Sequence, residues 1–216
     1  MNNITQIAVY AAIIAAGYLI GSIPFGFIIG KMHGIDIRKV GSGNIGATNV
    51  TRSVGKAAGK ICFALDFLKG LLPVVVLNFL IARQLIPNPA GNLAAPVVIL
   101  AVVLGHMFTC FLGFKGGKGI ATAVGGVAAI APLPAVGAFI IWLITFKLSG
   151  FVSLGSMVGA ASLPLLAWLL GKLNLIQPLP TGIIIFFVLL AAVAIFTHRS
   201  NIVRLLNGTE NSFKKK

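Results

Sequence analysis

The chain has 216 residues, of which 58% are hydrophobic and only 9% charged, and 17 basic against three acidic residues give it a net charge of +14. Soluble domains carry about 25% charged residues, so this composition excludes a water-soluble globule and makes lipid the main solvent. The basic surplus suits anionic lipid heads or phosphorylated substrates; cations scattered over short loops between apolar stretches argue against nucleic acid as a partner.

A bilayer core takes about 20 apolar residues to cross as a helix. Residues 4–30 form the first such stretch. No basic segment precedes it and it is long for a leader's core, so it is read as a retained spanning helix. His33 follows as a boundary residue. The next loop carries Gly41-Ser42-Gly43-Asn44-Ile45-Gly46-Ala47-Thr48-Asn49-Val50-Thr51-Arg52. Its glycines permit positive φ, which lets successive amides face one centre. Ser42, Asn44, Thr48 and Asn49 add side-chain donors, and Arg52 adds a bidentate cation. Such a loop suits a phosphate; a plain Gly/Ser/Asn connector is the alternative. It lacks G-x-x-x-x-G-K-[ST], so no nucleotide is implied.

The second span, 61–82, contains Asp66 and Lys69, three apart on one side of a helix. Lone charges in a membrane are costly. The two are expected to pair with each other or with loop groups, as a structural brace first and as direct catalysts second. Cys62 and Cys110 lie in apolar surroundings without metal-ligand spacing and are read as packing residues, with no disulfide and no metal. The third span, 93–113, has His106 near its end, where packing or hydrogen bonding is expected. Lys115-Gly116-Gly117-Lys118-Gly119-Ile120-Ala121-Thr122 then leads into a short helix. Glycines before a helix N-terminus free its amides for an anion, with ordinary boundary lysines as the alternative.

Between Lys118 and Lys147 the apolar run is interrupted by Pro132-Leu133-Pro134, leaving one kinked span or two short helices. Spans 151–170 and 181–197 follow. Lys147, Ser149, Gly150 and Ser153 mark one junction, where serines usually cap helices. His198-Arg199-Ser200-Asn201-Ile202-Val203-Arg204, ending in Gly208-Thr209-Glu210, follows the last span. His198 suits proton transfer or hydrogen bonding to a substrate; an interfacial histidine between snorkelling arginines is the alternative.

Charge selects the two-helix reading of 118–147. With the N-terminus outside, regions 31–60, 114–118, 147–150 and the tail from His198 are cytoplasmic and hold 14 of the 17 basic residues, Lys214, Lys215 and Lys216 among them. This follows the positive-inside rule. The prediction is an all-α polytopic membrane protein of about seven transmembrane or membrane-embedded helices, some short, with the C-terminus cytoplasmic. A single domain over 1–216 is expected, without internal repeat or linker. An anion transporter would also gather cations beside broken helices, but it should show matching halves and a midplane site.

At these motifs the sequence resembles the bacterial acyl-phosphate:glycerol-3-phosphate acyltransferases, the PlsY family. The likeness runs nearly end to end. It rests on Gly21-Ser22-Ile23-Pro24-Phe25-Gly26, the Ser42-Gly43-Asn44 to Arg52 loop and Asp66-Phe67-Leu68-Lys69-Gly70. Gly105-His106, the Lys115-to-Thr122 loop, Ser153, and His198-Arg199 through Glu210 continue it. The H-x-x-x-x-D pair of acyl-CoA-dependent glycerol-phosphate acyltransferases is missing, since no histidine has an aspartate five residues later.

The resemblance implies transfer of a fatty acyl group from acyl phosphate to the 1-hydroxyl of glycerol 3-phosphate, giving lysophosphatidic acid and inorganic phosphate. This would be the first acylation of bacterial phospholipid synthesis. It implies that Ser42, Gly43, Asn44, Gly46, Thr48 and Asn49 cradle the acyl phosphate. Arg52, Lys115, Lys118, Ser153, His198 and Asn201 would hold glycerol 3-phosphate, with Arg52, Lys115, Ser153, His198 and Asn201 closest to the chemistry. No cofactor is implied. The implied location is the bacterial cell membrane with the site on the cytoplasmic face. Membrane lipid is a partner, and an acyl-phosphate-forming enzyme is a candidate for hand-over.

Overall fold

The computed structural model describes residues 3–88 and 90–214, and every regular element among them is helical. Lys215 and Lys216, two residues of the expected basic tail, lie outside the described residues. The chain divides into two compact units, Met1–Ile130 and Ala131–Lys216.

In the first unit the stretch expected as one helix over 4–30 is two: α1 (Asn3–Ser22) and α2 (Phe25–Met32). Pro24 supplies no N–H and disfavours helical backbone at Ile23. Short α3 (Ala47–Ser53) then precedes α4 (Lys56–Ala82), which carries Pro73 without breaking. A further span consists of α5 (Ala94–Met107) flanked by 3-10 turns. α6 (Ile120–Ala128) completes the unit with nine residues, about 14 Å of helix and too short to cross a bilayer alone.

Small residues bring these helices close. On α1, Gly17 and Gly21 are four apart and face α5; a Cβ on Gly21 would strike the Val102 carbonyl, and one on Gly105 the Tyr18 carbonyl. Gly70 and Gly125 play the same part between α4 and α6, against the Thr122 and Phe67 carbonyls. Close backbone approach is how helices associate where lipid removes the hydrophobic drive. At the loop end of the unit, Ile29, Ile37, Ile45, Val50, Ala58 and Cys62 form a buried cluster, with Leu112 packed against it.

In the second unit, α7 (Pro132–Ser149) starts at the Pro-Leu-Pro segment. α8 (Val152–Lys172) packs on it, and α9 (Thr181–Thr197) packs on α8. α10 (Arg199–Leu206) turns 57° away from α9 at His198. Beyond it the chain folds back on the α7–α8 junction. There Phe213 N–H donates to the Gly150 carbonyl at 2.9 Å and Lys214 Nζ donates to the Leu148 carbonyl at 2.6 Å.

Five helices among the described residues are long and apolar enough to span a membrane, counting α1 and α2 together; the bent α9–α10 pair makes a sixth. The protein is an integral membrane protein.

Candidate functional site

In the first unit, the loop between α2 and α3 is built around Asn49. This residue is 2% exposed. Its Nδ2 donates to the carbonyls of Ile37 at 3.1 Å, Val40 at 3.0 Å and Asn44 at 2.9 Å, and its Oδ1 accepts from Ser42 N–H at 3.0 Å. Asn44 Oδ1 accepts from Gly46 N–H at 2.8 Å. The sequence suggested Asn49 as a phosphate donor; its amide instead holds the loop's shape. Gly41 at φ +59° and Gly43 at φ +69° make the reversals that a side chain would resist. Ser42 and Gly43 are left exposed, with Asn44, Thr48 and Arg52 half-buried. Upstream, Arg38 closes on Asp36 through Nε at 2.9 Å and Nη2 at 2.8 Å, and these bonds hold the Asp36 carboxyl well below the usual carboxylate range.

The second loop, Lys115–Lys118, reaches the same end of this unit, since Leu112 packs on the cluster containing Ile45 and Val50. Gly116 N–H and Gly117 N–H donate to the carbonyls of Met107 and His106, both at 3.0 Å. These two amides therefore shape the loop, and the α6 N-terminus that follows is the part left to attract an anion. Phe114 sits at φ +60°, a backbone region costly for a bulky side chain, directly before exposed Lys115. Lys118 is half-buried.

Asp66 and Lys69 are both buried and pair at 2.8 Å, as expected for charges inside a span. Lys69 Nζ also donates to the Ile23 carbonyl at 2.8 Å, and Thr109 Oγ1 donates to the Ser22 carbonyl at 2.5 Å. Both carbonyls are released by the α1–α2 break, where lipid offers no donor.

In the second unit, Ser153 Oγ donates to Glu210 Oε1 at 2.7 Å, Asn201 Nδ2 to the same oxygen at 2.6 Å, and Arg204 Nε to Oε2 at 2.7 Å. Burial pushes the Glu210 carboxyl up, but the Asn201, Ser153 and Arg204 hydrogen bonds and the Arg204 charge outweigh it and hold the group below its usual range. His198 is 3% exposed, and its carbonyl accepts from Asn201 N–H at 2.8 Å. Its Nδ1 lies 2.7 Å from the Ala194 carbonyl. A carbonyl oxygen only accepts, so Nδ1 carries a hydrogen and donates it to Ala194.

Glu210 received no site role from the sequence. Its signals were composition, as the only acid in residues 131–216, and its place at the end of the His198-to-Glu210 motif. At the α7–α8 junction the expected serine cap is not formed: Phe151 holds the α8 N-cap without a side-chain bond. Ser149 ends α7 with its Oγ donating to the Thr145 carbonyl at 2.7 Å and accepting from Phe151 N–H at 3.1 Å, whereas Ser153 points into the Glu210 cluster.

Residues 11–208 match the protein family described as glycerol-3-phosphate acyltransferase. A glycerol-3-phosphate acyltransferase of Desulforamulus reducens is 48% identical over 199 residues, covering 92% of each chain. One from Aquifex aeolicus is 43% identical over 198 residues, covering 91% of this chain and 95% of its own. A crystal structure of PlsY (YgiH), an integral membrane glycerol 3-phosphate acyltransferase, in its glycerol 3-phosphate form superimposes with a TM-score of 0.81 at 39% identity, covering 95% of this chain and 96% of that one. Its lysophosphatidic acid form gives a TM-score of 0.78 at 38% identity.

Proposed function

This chain belongs to the glycerol-3-phosphate acyltransferase family, and from that premise we propose that it moves a fatty acyl group from acyl phosphate to the 1-hydroxyl of glycerol 3-phosphate. The products are lysophosphatidic acid and inorganic phosphate. The observation that carries this reading is the pair of glycine-shaped loops, Gly41–Arg52 and Lys115–Lys118, brought to one end of a membrane-embedded unit and bearing Arg52, Lys115 and Lys118. Two anionic substrates need cations and oriented amides, and an acyl chain needs lipid beside them. A match running across both compact units supports one acyltransferase domain over 1–216.

Ser42, Gly43, Asn44, Gly46 and Thr48 hold the acyl phosphate, on a loop whose shape Asn49 maintains. In the first unit, Arg52, Lys115 and Lys118 suit the phosphate of glycerol 3-phosphate; in the second, Ser153, His198 and Asn201 offer groups suited to its hydroxyls. An acyl phosphate is a mixed anhydride and already activated, so the alcohol oxygen attacks its carbonyl carbon directly. The tetrahedral oxyanion collapses, the C–O bond to phosphate breaks, and the alcohol's proton leaves on a phosphate oxygen. Donors around the oxyanion and departing phosphate supply the stabilisation, and holding both substrates supplies proximity. His198 orients a glycerol hydroxyl. No covalent acyl-enzyme is required.

The distribution of basic residues supports an external N-terminus and a cytoplasmic site, with short α6 as a seventh membrane-embedded segment, in the cell membrane of a bacterium. An enzyme that forms acyl phosphate is the natural source of the donor.

Detergent-purified protein supplied with palmitoyl phosphate and glycerol 3-phosphate is expected to form lysophosphatidic acid, identified by mass spectrometry. Palmitoyl-CoA should not replace the phosphate donor. Use of the thioester, or no product from folded protein, would overturn the donor assignment.

A further inference from the structure

The mechanism leaves one buried polar cluster without a task. Asp66 Oδ1, already 2.8 Å from Lys69 Nζ, lies 3.6 Å from His106 Nδ1, and all three side chains are buried. Pairing Asp66 with Lys69 would be enough to neutralise the span, so a brace alone leaves His106 unexplained. The opposite edge of the His106 ring supplies the reason. Its Nε2 lies directly against Gly117, where any Cβ would strike it. The His106 backbone carbonyl accepts from Gly117 N–H at 3.0 Å, and Gly116 is pressed onto that same carbonyl. One residue thus touches the ion pair of α4 through one ring nitrogen and the Lys115–Lys118 loop through the other.

We propose that His106 is a positioning residue: its ring, packed beside the buried Asp66–Lys69 pair, is the floor that sets the Lys115–Lys118 loop to receive the phosphate of glycerol 3-phosphate. The proposal rests on the assignment of Lys115 and Lys118 to that substrate. Lys69 extends the chain of contacts to the α1–α2 break through the Ile23 carbonyl at 2.8 Å. The loop is therefore registered against α4, α5 and the α1–α2 break rather than left to its own glycines.

The test is a double-mutant cycle between His106→Ala and Gly117→Ala. Gly117 has no positive φ, so an alanine there is opposed by the ring rather than by its backbone. Each single variant is expected to raise the KM for glycerol 3-phosphate by about tenfold, which is 1.4 kcal/mol of binding, while the KM for palmitoyl phosphate stays within about twofold. In the double variant the collision is gone, and the effect should be no larger than that of His106→Ala alone. Glycerol 3-phosphate binding to the purified variants by calorimetry gives the same comparison without turnover, so failure of the donor assignment would not obscure it. Unchanged glycerol 3-phosphate affinity in His106→Ala would overturn the proposal. Strictly multiplicative effects in the double variant would overturn it too, as would equal losses for both substrates or a lower yield of folded protein with both KM values intact.

Discussion

Asn44 and Asn49 are the same residue type five positions apart in one loop, yet the structure gives them different work. Asn49 turns inward and serves four backbone groups. Replacing it with alanine leaves the buried Ile37 carbonyl and the partly buried Val40 and Asn44 carbonyls without this donor, and an orphaned buried group costs about 1–3 kcal/mol. Asn49→Ala is therefore expected to lose roughly 3 kcal/mol of stability in thermal unfolding and to raise the KM for acyl phosphate. Composition showed that a polar, glycine-rich loop was present, but a donor's identity does not say whether it faces a ligand or its own backbone. Glu210 was hidden for a related reason: its partners depend on residues 208–214 folding back over Gly150, a non-local event that local spacing does not encode. Its carboxyl is held below the usual range, so the stability it contributes is present above the unfolded value of about 4.3 and is lost as pH falls through the folded value. Glu210→Gln removes the charge facing Arg204 and is expected to weaken this anchoring by about 2 kcal/mol. Limited proteolysis should cut residues 208–214 readily in Glu210→Gln at neutral pH, and in the unaltered protein only in acid.

Among the elements, three of the prolines in or beside spans behave differently. Pro73 and Pro164 stay within α4 and α8, while Pro24 separates α1 from α2. The difference lies in what receives the freed carbonyls: Lys69 and Thr109 supply donors at the break. A single apolar stretch over 4–30 showed where the span lay, and only the tertiary partners from α4 and from residue 109 reveal the break. The other spans were legible because twenty apolar residues have few alternatives in a chain with so little charge. The helix interfaces were less so, since small residues signal close approach without naming the partner. Gly21→Val would place branched carbons against the Val102 carbonyl. Forcing α1 away from α5 should cost about 2 kcal/mol or more, read as a lower Tm in detergent with the loop chemistry otherwise unchanged.

At the scale of the whole molecule, the proposed orientation rests on charge. Lys39 lies in the basic 31–60 loop and Gln84 beyond the far end of α4, and both are exposed. In a Cys62→Ala, Cys110→Ser background, a membrane-impermeant thiol reagent applied to intact cells should label Gln84→Cys and spare Lys39→Cys until the membrane is opened. The reverse pattern would invert the topology. The proposed reaction makes a sharper demand, because direct transfer between two bound substrates releases phosphate only when both are present. The decisive measurement is rapid-mix phosphate release from enzyme and palmitoyl phosphate, with and without glycerol 3-phosphate. Direct transfer predicts one phosphate per lysophosphatidic acid and no burst when glycerol 3-phosphate is withheld. A burst stoichiometric with enzyme in its absence would show an acyl-enzyme and contradict the account.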